Sequence, residues 1–117
     1  MAAPSNYAID DMYSTIVKSF NEYSKEHNMD IHLNMVLFTD KNTTLEYDSY
    51  ASTIEYIMKK KSNKYDIFVY DPLNIKRYSP YLEDLSKWLP KEHIDKYRAG
   101  DSGKICLYND EWLALVC

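Results

Sequence analysis

The sequence predicts an α/β domain with a βαβ core, followed by short helices and a C-terminal hairpin. Three observations predict it. Residues 31–70 read strand, helix, strand, a crossover that makes the two strands parallel and the connection right-handed. A helical stripe precedes them and supplies cover for a sheet. Beyond Pro72 the periodicity breaks into short pieces and closes on two β-like runs around Asn109-Asp110. At 117 residues the chain is long enough for one core.

The elements follow in order. Apolar residues at Ile9, Met12, Ile16, Val17, Phe20 and Tyr23 recur at spacings of three and four, predicting a helix over 8–27. Asp10 and Asp11 suit the positive end of its dipole, and Asn28 is a natural stop. Met1–Asn6 is a short polar lead-in. Residues 31–38 begin alternating and end in Met35-Val36-Leu37-Phe38, which reads as a strand buried on both faces. After a polar loop, Asp48 caps a second helix whose stripe is Tyr50, Ala51, Ile54, Ile57 and Met58. Lys59, Lys60 and Lys61 complement the carbonyl end of that helix, so the basic cluster implies no partner. Tyr65–Tyr70 is the second strand, stopped by Asp71-Pro72. Leu82, Leu85, Trp88 and Leu89 form one apolar cluster, Pro90 opens a helix over 91–97, and 100–104 is a polar loop. Residues 105–108 and 111–116 form the hairpin, with Asn109-Asp110 as its turn. The chain reaches Cys117 still apolar and β-like, which reads as truncation.

Composition removes several function classes. The net charge is −4 and no basic face exists, so a nucleic-acid partner is not expected. The run 35–38 is far shorter than the ~20 apolar residues of a membrane helix. No basic-then-apolar leader opens the chain. With only Gly100 and Gly103 as glycines, a glycine-rich phosphate loop is missing. His27, His32 and His93 have no partner at helical metal spacing, and no nucleophile elbow or Cys-x-x-Cys occurs. No catalysis, metal or cofactor is expected. Tyrosine, present twelve times, suits ligand contact.

Open parallel sheets bind ligands at the carboxyl ends of their strands. Here those ends are Thr39-Asp40 and Tyr70-Asp71, with Asn74 and Arg77 following. Carboxylate, amide, guanidinium and ring together suit a hydroxyl-rich ligand: bidentate hydrogen bonds to hydroxyl pairs and a ring against a sugar's C–H face. The plainer account has Asp71 capping a turn, Arg77 solvated and the tyrosines at the core edge. Cys106 and Cys117 lie out of register for a disulfide and read as buried thiols, or as partners of cysteines elsewhere in an oxidising compartment. Asn42-Thr43-Thr44 is a glycosylation acceptor in a loop.

Three motifs carry a resemblance: Lys64-Tyr65-Asp66-Ile67-Phe68-Val69-Tyr70-Asp71, then Tyr81-Leu82-Glu83-Asp84-Leu85-Ser86-Lys87-Trp88-Leu89-Pro90-Lys91-Glu92, then Cys106-Leu107-Tyr108-Asn109-Asp110-Glu111-Trp112-Leu113-Ala114-Leu115. Together they resemble family 1 extracellular solute-binding proteins, of the kind found as ectodomains of eukaryotic class C (family 3) G-protein-coupled receptors. The resemblance implies a type II periplasmic-binding-protein fold, with 1–117 as an incomplete N-terminal lobe lacking the second lobe and the first strand, for which Met1–Ser5 leaves no room. It implies a sugar or oligosaccharide ligand, a location outside the cell or at its surface, and any membrane anchor in a missing C-terminal part. It also places the first strand between the second and third, whereas the βαβ reading makes 31–38 and 65–70 neighbours. The residues implied to line the cleft are Tyr70, Asp71, Asn74 and Arg77, with Thr39 and Asp40 on the rim. An intracellular interaction module and a carboxylate-dependent hydrolase are the alternative readings.

Overall fold

The computed structural model describes residues 1–5, 9–39 and 47–115, with side chains for all of these except 47–49. Asp40, Asn42, Cys117 and the capping side chain of Asp48 lie outside the described residues. Helix and strand are mixed, and the chain divides into two compact units, Met1–Tyr70 and Asp71–Cys117.

The first unit is built on a strand that the sequence leaves no room for. β1 (Ala2–Pro4) pairs in parallel with β2 (Val36–Phe38), Ala2 opposite Val36 and Pro4 opposite Phe38. On its other side Ala2 forms a parallel bridge to Phe68, donating to Ile67 O and accepting from Val69 N–H, both at 2.8 Å. The predicted strands 31–38 and 65–70 are therefore parallel but not neighbours; β1 lies between them. Ala2 and Ala3 are completely buried. A central position this enclosed takes small side chains, and Ala-Ala-Pro carries no β-branched or aromatic residue to announce it.

Both neighbours of β1 are shorter than their apolar patterns suggest. Residues 29–35 are not in a ladder, because side chains from α1 (Asp10–Glu26) take up their backbone groups. Asn21 accepts from Leu33 N–H at 2.8 Å through Oδ1 and donates to Leu33 O at 3.0 Å through Nδ2. The buried Ser24 hydroxyl lies 2.6 Å from Ile31 O and 3.1 Å from Met29 O. In the third segment only Phe68 bridges.

The helices lie close to their predicted spans. α1 ends with Asn28 in the left-handed region (φ 53°), Asn28 N–H donating to Lys25 O and Met29 N–H to Ser24 O. This is a Schellman ending. α2 (Tyr47–Lys59) ends the same way, with Lys61 at φ 47° and bonds from Lys61 N–H to Met58 O and Ser62 N–H to Ile57 O. Its predicted stripe faces inward: Ala51, Ile54 and Met58 are buried. On α1 the buried side is rotated from the predicted stripe toward Tyr13 and Ser24, leaving Met12, Ile16 and Tyr23 40–52% exposed. Edge-to-face aromatic pairs link Phe38 with Tyr50 and Tyr65, and Tyr65 with Phe68.

The second unit begins with a 3₁₀ turn at Pro72–Asn74, α3 (Ile75–Tyr78) and a further 3₁₀ turn at Ser79–Tyr81. α4 (Lys91–Arg98) is the helix expected after Pro90. α5 (Asp101–Cys106) replaces the predicted polar loop and the first residues of the predicted strand. Its two glycines explain the misreading. Gly100 turns the chain at φ +74°, and Gly103 packs so closely on α4 that a Cβ there would lie 2.4 Å from Arg98 O. The hairpin is β3 (Leu107–Tyr108) against β4 (Glu111–Trp112), with Asn109 and Asp110 both at positive φ. That is the type I′ turn expected of the dipeptide, with Leu113 N–H donating to Cys106 O beyond it. Cys106 is a buried thiol in a core with Ile94 and Trp112, packed by Leu85, Leu89, Tyr97, Ala114 and Leu115. Trp88, expected in that cluster, is 72% exposed.

Candidate functional site

The three parallel segments of the first unit end at one edge of the sheet, and a hydroxyl-bearing residue follows each: Ser5, Thr39 and Tyr70. Ser5 N–H donates to Phe38 O at 2.8 Å, and Ser5 Oγ donates to Asp10 Oδ2 at 2.8 Å on the first turn of α1. Thr39 and Tyr70 are half-buried, and the Tyr70 hydroxyl oxygen is enclosed. Tyr50 from α2 donates to Val69 O at 2.6 Å, fixing the backbone immediately before Tyr70. Topology therefore brings Thr39 and Tyr70 together at the sheet edge and adds Ser5 and Asp10. Sequence reasoning missed the last two because it had no strand at Ala2–Pro4.

The other predicted residues belong to the second unit. Asp71 is exposed and its Oδ1 accepts from Leu73 N–H at 2.8 Å, capping the 3₁₀ turn, which is the plainer of its two sequence readings. Asn74 closes that turn by donating from its N–H to Asp71 O, and Arg77 lies on α3, half-buried.

Two concavities among the described residues are lined by other groups. One, about 600 Å³, runs along α1 beside Met29–His32, where Asn21 and Ser24 are already committed to the backbone. The other, about 360 Å³, belongs to the second unit and collects Ser86, Lys91, Arg98, Asp110 and Trp112 over Ile94 and Leu107. Its members are separated along the chain and carry no motif, so only the fold of this unit reveals them.

Electrostatics in the second unit centre on two carboxylates. Asp84 Oδ1 accepts from the Ser86 hydroxyl at 2.7 Å, from Ser86 N–H at 3.0 Å and from Trp112 N–H at 3.1 Å. The Ser86 bonds chiefly hold its pKa below the ordinary 3.8. The Asp-Leu-Ser motif is thus a clamp that fastens a 3₁₀ turn to β4. Asp95 is also held low, first by its hydrogen bond from Lys91 at 2.6 Å, then by the charges of Lys91 and Arg98. His27 caps α1, its ring stacked on Tyr23 and Nδ1 2.9 Å from Tyr23 O. Among the described residues no three His, Cys, Asp or Glu side chains gather as metal ligands, and no helix is long and apolar enough to cross a membrane. No protein-family model, curated protein or solved structure matches the chain.

Proposed function

We propose that this chain binds a hydroxyl-rich solute, a sugar or oligosaccharide, at the carboxyl-end edge of the 1–70 sheet, without acting on it chemically. One observation carries the reading: Ser5, Thr39 and Tyr70 follow three parallel segments in the order second, first, third. Strand ends of this kind present donors and acceptors on a rigid support. The same order is the one implied by the resemblance to family 1 solute-binding proteins, which adds a location outside the cell or at its surface and a glycan on Asn42.

Calorimetric titration of the chain with monosaccharides and maltose tests it. Thr39→Val removes one hydroxyl and Tyr70→Ala removes the ring from that edge; each should weaken binding by about five- to tenfold. Unchanged affinity in both, or no heat with any of these sugars, overturns the assignment.

The exposed row Met12, Ile16 and Tyr23 on α1 favours a second reading, a protein-interaction module. Ile16→Lys would then abolish partner capture while leaving sugar binding untouched.

A further inference from the structure

We propose that the cavity beside Trp112 is a separate binding site for a neutral, hydroxyl-bearing ligand of monosaccharide size; the choice of sugars rests on the preceding reading. The observation that leads here is a buried donor. Trp112 is 2% exposed, and its Nε1–H has no acceptor among the described residues. Indole can only donate, so an acceptor from outside the chain is the group it lacks. Trp112 lines the cavity of about 360 Å³, a volume suited to a small ligand.

The other lining groups define what that ligand is. Ser86 gives its proton to Asp84, so its hydroxyl oxygen is left to accept. Lys91 and Arg98 both engage Asp95, at 2.6 and 3.2 Å, and each keeps further N–H donors. Asp110 is also in the lining, and Asp95 is paired with both Lys91 and Arg98, so two cations and two carboxylates balance and an ionic ligand would unbalance the site. The several hydroxyls of one sugar can between them donate to Asp110 and accept from Arg98, Lys91 and the indole without that penalty. Ile94 and Leu107 provide an apolar wall for C–H groups.

The indole nitrogen is enclosed as the structure stands, so the proposed ligand reaches it only if Arg98 moves aside. Its guanidinium lies 5.8 Å from the centre of the Trp112 ring, and its side chain is 64% exposed. The contacts holding it, one exposed ion pair and one cation–π contact, are weak enough to yield to a rotamer change. Arg98 thus acts as a movable cover that also donates to the bound ligand.

The test follows the two indole N–H resonances of the ¹⁵N-labelled full chain during titration with D-glucose, D-galactose and D-mannose. The Trp112 signal should move saturably with at least one sugar, while that of the exposed Trp88 stays in place. Arg98→Gln should weaken the response about tenfold. Lys91→Gln, at a side chain 83% exposed, gives a second variant whose folding is not in doubt and should weaken it severalfold. Overturning results are no saturable shift with any of the three sugars, equal shifts of both indoles, or an unchanged titration in Lys91→Gln. Thr39→Val separates the two sites: a Trp112 response unchanged in that variant keeps this site, and a response lost together with the sheet-edge binding removes it.

Discussion

At the scale of single residues, side chains on α1 decide where the sheet stops. Asn21 presents an acceptor and a donor to the two backbone groups of Leu33, imitating a neighbouring strand. Asn21→Ala leaves both groups short of partners in a partly buried place and should cost about 1–3 kcal/mol. The urea midpoint reports it, as does faster exchange of the Leu33 amide; an unchanged midpoint would show that water replaces the side chain without loss. The same residue explains why the sequence misleads at 31–35. Alternating apolarity records burial on two sides, and it does not say whether a strand or a side-chain amide satisfies the peptide groups. Topology at the sheet edge was more accessible. Thr39 and Tyr70 could be placed from strand ends alone, whereas Ser5 needed a strand that only tertiary enclosure of two alanines creates.

At the scale of elements, the endings of helices carry the clearest stability contrasts. Lys61 occupies the left-handed position at the end of α2 with its side chain in solvent. Lys61→Gly should therefore stabilise the fold by about 1 kcal/mol, and Asn28→Gly by less, since asparagine tolerates that conformation. A thermal midpoint that falls in Lys61→Gly would contradict this. The α4–α5 corner behaves oppositely. Gly103→Ala drives a methyl into the Arg98 carbonyl and should destabilise by about 2 kcal/mol or more. Gly100→Ala meets no atom within 4 Å, so its effect, about 1–3 kcal/mol, would be backbone strain alone. α2, α4 and the Asn109-Asp110 turn were legible because period, proline and turn chemistry are local signals. α5 was not, because glycine in Asp-Ser-Gly-Lys signals a loop unless the neighbouring helix is known.

At the scale of the whole molecule, acid should loosen the 71–117 unit. Hydrogen bonds from Ser86 favour the ionised form of Asp84 in the folded state, and those from Lys91 do the same for Asp95. Their contribution is present above the ordinary carboxylate value of 3.8 and disappears as pH falls through the lowered folded values. Amide protection around Trp112 and Leu113 should decline over that acid range, and Asp84→Asn should remove most of the dependence. Protection that is flat from neutral pH to well below 3.8 would contradict the clamp. The cavity in this unit was illegible in the sequence for a related reason: Ser86, Arg98 and Trp112 meet only after the turn, helix and hairpin have been assembled.

The position of Ala2–Pro4 has a consequence for biosynthesis. This segment leaves the ribosome before either of its flanks, yet it becomes the ribbon gripped from both sides. Its first flank arrives with Val36, and the second only once the Val69 amide has been made. Until then a short, greasy, unpaired stretch waits in the open, and sheet closure must follow translation of the whole first unit rather than accompany it.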